Sequence, residues 1–337
     1  MKSLKTDKAI LCLGDINPDI IIPYGESRQI MDAIARGEEV DNTYRPDPTI
    51  QSGGATANTA SGLARLGMPV YFAGKAGKDY YSDFLKEDFH KDGVMTDYMA
   101  CDPAISTVAV FAVVSEDKNR ILYAFPPVHP SHLQLVPEDL PDELMDKIGW
   151  VQTTGFMLRE NPAADTVIGF LEKCKAHGGI TISFDLNLRI EVSPFTDEFK
   201  ARVNRCVELA DVLLGSGKEE YVPLSGKATP EEACKYYADQ GKVVICRAGA
   251  AGVDYYQGNE HGFLPTFDVE VVDTVGAGDA FNAGFIASVA RGLDLHDAVM
   301  HGNAAACYAI GKVGARTVPS WDVVEEFIEK TPLIGQK

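Results

Sequence analysis

The sequence predicts an α/β fold: a doubly wound, mainly parallel sheet with helices on both faces and a small β-rich lid. Short apolar runs, each long enough for one buried strand, alternate with stretches whose apolar residues recur at helical spacing. This alternation is typical of a parallel sheet covered on both sides. Two β-rich pieces interrupt it and are predicted to form the lid.

The predicted strands are short apolar runs. They cover 9–13, 68–72, 150–153, 181–185, 212–214 and 243–247. Most of the helices predicted between them are followed within two residues by glycine, a common helix terminator. These helices cover 56–66, 80–91, 163–176, 196–209 and 230–239.

The lid is predicted from residues 18–51 and about 100–127. In the second piece, β-rich runs at 107–114 and 121–125 flank a turn at 115–120, which predicts a hairpin. No repeat or linker divides the chain, so residues 1–337 are predicted to form one domain. Apolar strands on the lid make it the candidate surface for a homodimer.

Charge and cysteine usage narrow the partners and the compartment. The net charge is -18 and basic residues are not clustered, so nucleic-acid binding is not expected and an anionic ligand must be held locally. The seven cysteines are dispersed without a CxxC pair, which favours a reducing compartment. The N-terminal apolar stretch is too short for a signal sequence or a membrane span, so we expect a cytoplasmic protein without membrane contact.

The run from Val269 to Phe285 carries the strongest chemical signal. A β-type segment is predicted to end at Asp273, and a helix follows the turn formed by Gly276, Ala277 and Gly278. Their backbone N–H groups would be the unpaired donors at the helix start, where the dipole favours an anion. Asp279 would stand beside that anion, either as a proton acceptor or simply as a helix cap.

Two stretches resemble the signatures of the ribokinase-like (PfkB) carbohydrate kinase family. The sequence DTVGAGD from Asp273 to Asp279, followed by AFNAGF, is similar to the C-terminal signature. The sequence GGATAN from Gly53 to Asn58, with the segment through Asp79, is similar to the N-terminal one. The two occur in the family's order, and the resemblance extends from about residue 10 to residue 319.

The resemblance implies an enzyme that transfers phosphoryl from Mg-ATP to a hydroxymethyl group of a sugar or sugar acid. It assigns Asp279 as the base and the backbone of 276–278 as the anion hole. The implied substrate-binding residues are Asn17, Asp19, Gly53, Gly54, Asn58 and Arg189. The implied nucleotide-side residues are Asn187, Glu220, Arg247, Gly249, Gly252 and Asn303. A monovalent cation such as K⁺, a family trait, would lie near Asp273, Val275 and Gly314.

Several of these residues also have simpler interpretations. Asn17 could form an Asx turn before Pro18, and Asn58 could serve only a closely packed helix. Arg189 could pair with a nearby acid such as Glu191. The family's N-x-x-E motif is incomplete, because Gly217 stands at the Asn position, so Glu220 is not assigned as a direct magnesium ligand. The segment 247–252 is equally consistent with a plain hairpin turn, and Asn303 lies in a helix of small residues predicted over 302–310.

Two other functions fit the same residues. A nucleoside kinase of this fold uses the same catalytic parts on a ribose hydroxymethyl group. A catalytically idle binding or regulatory protein would need no base beside the phosphate, so the intact 276–279 run argues against it. The acceptor itself is not encoded in any pattern of the lid segments.

Overall fold

The computed structural model describes residues 4–23, 32–39, 48–114, 120–190 and 194–335. The strands in these residues are β1 (Ala9–Leu13), β2 (Asn17–Pro23), β3 (Thr49–Gly53), β4 (Val70–Gly77), β5 (Met95–Asp102), β6 (Ala109–Val114), β7 (Arg120–Phe125), β8 (Ile148–Thr154), β9 (Thr181–Asp185), β10 (Val212–Ser216), β11 (Val243–Arg247), β12 (Val253–Gln257) and β13 (Glu260–Leu264). The helices are α1 (Ala55–Arg65), α2 (Tyr80–Asp92), α3 (Leu144–Lys147), α4 (Ala163–His177), α5 (Asp197–Leu209), α6 (Val222–Ser225), α7 (Pro230–Ala238), α8 (Ala277–Arg291), α9 (Leu295–Ile310) and α10 (Trp321–Lys330).

The main sheet has the strand order β13-β12-β11-β10-β9-β8-β1-β4-β5. Strands from β11 to β5 run parallel, and the β11–β12 and β12–β13 pairs are antiparallel. A second sheet has the order β3-β2-β6-β7. Because β2 follows β1 after only three residues, the second sheet lies at the carboxyl end of the main sheet, where open α/β sheets bind ligands.

Two apolar cores cover the two faces of the main sheet. Along β1, Leu11 and Leu13 point into one core, and Ile10 and Cys12 point into the other, as the two-residue period of a strand requires. Side chains of α3 to α7 fill the first core, and side chains of α1, α2, α8, α9 and α10 fill the second. The α/β fold with helices on both faces and a small second sheet is therefore confirmed.

The structure corrects three local predictions. No strand is assigned to 269–273; Val271 and Val272 are exposed, and the N–H groups of Val272 and Asp273 bond instead to the carbonyl of Ile310. The β-branched residues of this segment therefore do not mark a buried strand. Residues 100–102 end β5 of the main sheet and are not part of the second sheet. The helix predicted over 302–310 begins earlier, at Leu295.

Most of the second sheet agrees with the predicted lid segments. β2 and β3 come from 18–51, with β2 beginning one residue earlier, and β6 and β7 form the antiparallel pair expected near 107–125. Residues 115–119 of the predicted turn and parts of 18–51 lie outside the described residues. Where the chain is described, no helix is both long enough and apolar enough to cross a bilayer.

Candidate active site

Asp279 lies in the first turn of helix α8. The helix starts after Gly276, whose φ of 77° is the left-handed conformation that glycine adopts without strain. The first N–H groups of a helix have no intrahelical acceptor, and here they belong to Ala277, Gly278 and Asp279. The N–H of Ala277 makes a long contact of 3.3 Å with the carbonyl of Thr274. This end of the helix therefore presents backbone donors beside a carboxylate.

The two sequence signatures meet at this carboxylate. Asn58, near the start of α1, donates from Nδ2 to Oδ2 of Asp279 at 2.9 Å, across 221 residues of sequence. Thr59 lies beside it, with its hydroxyl 3.5 Å from the carbonyl oxygen of Asp279. Asn58 is therefore more than a packing residue, because its amide holds one oxygen of Asp279 in place.

The surroundings of Asp279 favour its neutral form. Burial raises the pKa of Asp279 to about 8, and the hydrogen bond from Asn58 opposes that rise. The carboxylates of Asp185 and Asp15 contribute to this raised pKa, while the Arg247 guanidinium opposes it. A carboxyl with a pKa near neutral pH can exchange a proton with little free-energy cost, as general base catalysis requires.

The predicted substrate-binding residues of β2 and β3 lie together. Asn17 pairs with Gly53 across the β2–β3 ladder and donates from Nδ2 to Oδ1 of Asp19 at 2.7 Å. Asn17 thus lies in a strand and does not form the alternative Asx turn. A side chain at Gly53 would overlap the Asp19 carboxylate, since an added Cβ would lie 2.3 Å from its Oδ2. Glycine at this position lets the polar edge of the lid approach the start of α1.

Gly54 has a φ of 98°, and a Cβ there would lie 2.6 Å from the carbonyl oxygen of Asp15. Asp15 itself accepts from the N–H groups of Ala55 and Thr56 and from the Thr56 hydroxyl, at 2.8 to 3.1 Å. The carboxylate thereby satisfies the first turn of α1 and fixes the helix that carries Asn58.

A cavity of about 680 Å³ lies on the other side of the α8 start. Ala277 and Gly278 line it, and its size suits a nucleotide-sized ligand. The predicted nucleotide-side residues also line it: Asn187, Glu220, Arg247, Gly249, Gly252 and Asn303. Arg189, predicted to contact the acceptor, lies in this cavity and not with the substrate-side residues.

Arg247 is the centre of a buried ion-pair network. It binds both oxygens of Asp185, at 2.9 and 3.2 Å, and donates to the Gly278 carbonyl at 3.1 Å and to Oδ1 of Asn282 at 2.9 Å. Burial lowers the pKa of Arg247, but the carboxylates of Asp185 and Glu220 raise it by more, so the guanidinium stays charged. The first turn of α8 is therefore anchored to β9 and β11.

The Glu220 carboxylate accepts hydrogen bonds from nearby backbone and side-chain groups. Its two oxygens accept from the N–H groups of Leu188 and Ser216 and from the Ser216 hydroxyl, at 2.7 to 3.1 Å. Burial, followed by the Asp185 charge, raises the pKa of Glu220. The segment that Glu220 holds contains Asn187 and Arg189, two non-glycine residues with positive φ values of 31° and 47°.

The left-handed backbone conformations of Asn187 and Arg189 indicate that neighbouring contacts hold this loop at the cavity wall. Arg189 donates from Nε to Oδ1 of Asn187 at 3.0 Å, and Arg159 donates to the carbonyls of Leu188 and Arg189 at 3.2 and 2.7 Å. Non-glycine residues hold such conformations only where neighbouring contacts impose them. Glu220 and Arg159 supply such contacts to Leu188 and Arg189.

Asn303 is buried in the cavity wall with both ends of its amide engaged. Nδ2 donates to the Pro265 carbonyl at 2.8 Å, and the Cys307 thiol lies 3.6 Å from Oδ1. Gly249 and Gly252 lie in the turn between the antiparallel strands β11 and β12, and both also line the cavity. The hairpin interpretation and the predicted nucleotide-side position are therefore compatible.

The predicted monovalent-cation residues are close to one another. Asp273 accepts from the Val275 N–H through Oδ1 and from the Gly314 N–H through Oδ2, both at 3.0 Å. The loop after α9 also packs against the turn at Gly276, since a Cβ on this glycine would lie 2.7 Å from the Ala315 carbonyl oxygen. In the described part of the chain, no cluster of three His, Cys, Asp or Glu side chains has the arrangement of a metal site.

Sequence reasoning missed four residues of this region. Asp15, Asp185 and Asn282 stand inside or next to the recognised motifs, so their positions were visible but their partners were not. Arg316 follows the predicted cation loop by two residues and donates from Nε to Oδ1 of Asn58 at 3.2 Å. No local pattern marked it, because its partner is 258 residues away.

The sheet, the cavity and the carboxylate at the helix start are those of a small-molecule kinase. Residues 8–322 match the model of the pfkB family carbohydrate kinases, and the chain belongs to this family. It is 27% identical over 327 residues to 5-dehydro-2-deoxygluconokinase of Geobacillus thermodenitrificans, covering 92% of this chain and 96% of the relative. It is 29% identical over 303 residues to aminoimidazole riboside kinase of Salmonella typhimurium, covering 88% and 92% of the two chains.

A solved structure shares the fold over nearly the whole length. A putative ribokinase II from E. coli in complex with ATP and Mg²⁺ superposes with a TM-score of 0.84 at 25% identity, covering 96% of this chain and 99% of the other.

Proposed function

We propose that the protein transfers the γ-phosphoryl group of ATP to a hydroxymethyl group of a sugar or sugar acid. The observation that carries this proposal is the junction at Asp279, where a carboxylate held by Asn58 stands beside the first N–H groups of an α-helix. The cavity of about 680 Å³ on one side would hold ATP, and the polar residues of β2 and β3 on the other side would hold the acceptor.

In this mechanism Asp279 takes the proton of the acceptor hydroxyl. The acceptor oxygen forms a new bond to the γ-phosphorus, the bond from that phosphorus to the β–γ bridging oxygen breaks, and ADP leaves. Charge spreads over the transferring phosphoryl oxygens, and N–H donors at the α8 start would stabilise it. Asn17, Asp19 and Asn58 offer the amide and carboxylate groups that hydrogen-bond sugar hydroxyls.

The proposed cofactor is Mg-ATP. Glu219 lines the cavity, and Mg²⁺ is usually held by few carboxylates together with phosphates and water, so this residue fits such an ion. Both oxygens of Glu220 already accept hydrogen bonds from Leu188 and Ser216, so Glu220 is not proposed as a ligand. The ion would neutralise phosphate charge when bound. A K⁺ ion near Asp273, Val275 and Gly314 is part of the proposal, because these residues already converge beside the anion-hole turn.

A riboside is the second candidate acceptor, favoured by the similarity to aminoimidazole riboside kinase. Both acceptor classes present a hydroxymethyl group to the same base. A panel of hexoses, pentoses, keto-deoxy sugar acids and nucleosides, assayed with Mg-ATP, separates them by kcat/KM.

The location and assembly of the protein complete the proposal. Of the seven cysteines, six are buried and all are free thiols, which supports a reducing compartment such as the cytoplasm. Tyr123 and Phe125 of β7 are 51% and 62% exposed, and this apolar surface supports a homodimer through the lid. Sedimentation equilibrium tests that assembly.

The Asp279→Asn variant tests the proposed chemistry. We expect kcat to fall by about 10²–10⁴, because the amide cannot accept the proton. ATP affinity, measured by calorimetry, should persist because the N–H donors remain. Near-normal turnover in this variant would remove Asp279 as the base.

A further inference from the structure

Arg316 is a buried arginine between the acceptor side of the cleft and helix α2. Its side chain is 8% exposed, and its guanidinium lies 4.9 Å from the ring centroid of Phe89. Nη1 forms an ion pair with Asp88 at 3.1 Å, and Asp88 keeps 29% of its side chain exposed. The arginine is thus fixed from one side by α2, while its Nε points toward α1.

The Nε contact fixes the orientation of the Asn58 amide. A guanidinium has only donors, so the amide atom facing it, 3.2 Å away, must be the oxygen Oδ1. The nitrogen Nδ2 is then left to donate to Asp279 at 2.9 Å. Rotating the amide by half a turn would place an NH₂ group against the guanidinium and an oxygen against the carboxylate, and both contacts would be repulsive.

We propose that Arg316 is a positioning residue that acts through the Asn58 amide to keep an N–H donor on the Asp279 carboxylate and so favours its charged, proton-accepting form. This inference rests on the proposed function, in which Asp279 is the base. Arg316 does not touch the reacting atoms in this scheme. Its contribution is to fix which end of the Asn58 amide faces Asp279.

Loss of Arg316 changes which protonation state of Asp279 the Asn58 amide stabilises. With the guanidinium gone, Asn58 is free to turn its oxygen toward Asp279 and accept a hydrogen bond from the protonated carboxyl. A hydrogen bond to the neutral form disfavours ionisation, whereas the native bond favours it.

Other charges around the pair remain in place. Asp185, Asp15 and Arg247 face Asp279 from β9, the β1 end and β11. The carboxylates of Asp88, Asp92 and Asp19 and the cation of Arg65 face Arg316.

The pH dependence of kcat/KM in the Arg316→Met variant tests the proposal. The acidic limb of the wild-type profile should lie near pH 8, set by Asp279. In the variant we expect it to move up by about one unit, since a hydrogen bond to a charged group is lost. Activity at pH 7 would fall roughly tenfold and recover at high pH. A limb that stays in place would overturn the proposal.

Arg65→Met is the matched control. Arg65 of α1 pairs at 2.7 Å with Asp92, which lies in α2 as Asp88 does, and it donates to the Arg316 carbonyl at 2.9 Å, so its loss disturbs the same neighbourhood. It leaves both hydrogen bonds of the Asn58 side chain intact. We expect its pH profile to match the wild type, and an equal shift in this control would show that the effect is merely structural.

A double-mutant cycle tests the route through Asn58. In an Asn58→Ala background, Arg316→Met should cause no further shift of the limb, because the amide that transmits the effect is absent. A full additional shift there would refute the relay. If Arg316→Met does not fold, Arg316→Lys is the second variant. The lysine keeps a cation for Asp88 but cannot bind both Asp88 and Asn58, so we expect a smaller upward shift of the acidic limb. An unchanged pH profile in this variant would contradict the proposal.

Failure of this inference differs from failure of the proposed function. If Asp279→Asn is inactive and Arg316→Met has the wild-type profile, only the role of Arg316 is lost. If Asp279→Asn turns over normally, the base assignment itself is wrong. The pH dependence of unfolding, compared with and without Asp279, reports the carboxyl's ionisation without any turnover.

Discussion

The Asp279→Asn variant is predicted to be more stable than the wild type, by an amount that grows with pH. The pKa of this carboxyl is about 8 in the folded protein against 3.8 for a free aspartate. Below pH 4 the group is protonated in both the folded and the unfolded chain, so it has no effect. Between pH 4 and pH 8 only the unfolded chain ionises, so the free energy of unfolding falls as the pH rises.

The magnitude follows from the same difference. One pKa unit corresponds to about 1.4 kcal/mol, so the complete shift would amount to roughly 5 kcal/mol at pH 8. Asp279 is only partly buried and keeps part of its hydration, so we expect about 1–3 kcal/mol. The new amide has an oxygen that can still accept from Asn58, so the variant loses no buried hydrogen bond.

Thermal unfolding of both proteins at pH 5, 6, 7 and 8 measures the effect. The variant's Tm should exceed the wild-type Tm by about 2–6 °C at pH 8, with little difference at pH 5. A difference that does not change with pH, or a variant that is less stable at every pH, would refute the reasoning about the Asp279 environment.

Two further substitutions test the support of the anion hole. Arg247→Met leaves Asp185 buried without its cation and should lower the free energy of unfolding by about 3–5 kcal/mol. Adding Asp185→Asn should recover part of this loss. A loss under about 1 kcal/mol would contradict the importance of the buried pair. Gly276→Ala places a Cβ 2.7 Å from the Ala315 carbonyl oxygen at a φ of 77°, so both Tm and kcat should fall. Its control is Gly226→Ala, with a φ of 70° and no atom within 4 Å, which should cost only about 1 kcal/mol and leave kcat unchanged; equal effects in the two variants would argue against a special role for the Ala315 contact.

Much of the fold was predictable because buried strands and covering helices leave local patterns. All six predicted strands of the main sheet form, and three of them, Val70–Gly77, Ile148–Thr154 and Val212–Ser216, are longer than their apolar runs. Polar or glycine ends of strands carry no apolar signal, which is why those boundaries moved. The strand predicted to end at Asp273 is wrong for the opposite reason, because the apolar residues of Val269–Asp273 lie in an irregular segment beside the cavity.

The residues near Asp279 were predictable where a motif keeps them adjacent in sequence. Gly276 to Asp279 and Gly53 to Asn58 each form a short local pattern, and the structure joins them through one hydrogen bond. Pairings such as Arg247 with Asp185 and Arg316 with Asn58 connect residues 62 and 258 positions apart. A single charged residue has no local periodicity, so only the fold reveals its partner.

A crystal structure with a non-hydrolysable ATP analogue and the best acceptor from the panel tests the central claim most directly. We predict that the free oxygen of Asp279 lies within about 3.2 Å of the acceptor hydroxyl, with the γ-phosphate analogue against the first N–H groups of α8. An acceptor hydroxyl far from that carboxylate, or a nucleotide outside the cavity beside α8, would contradict the account.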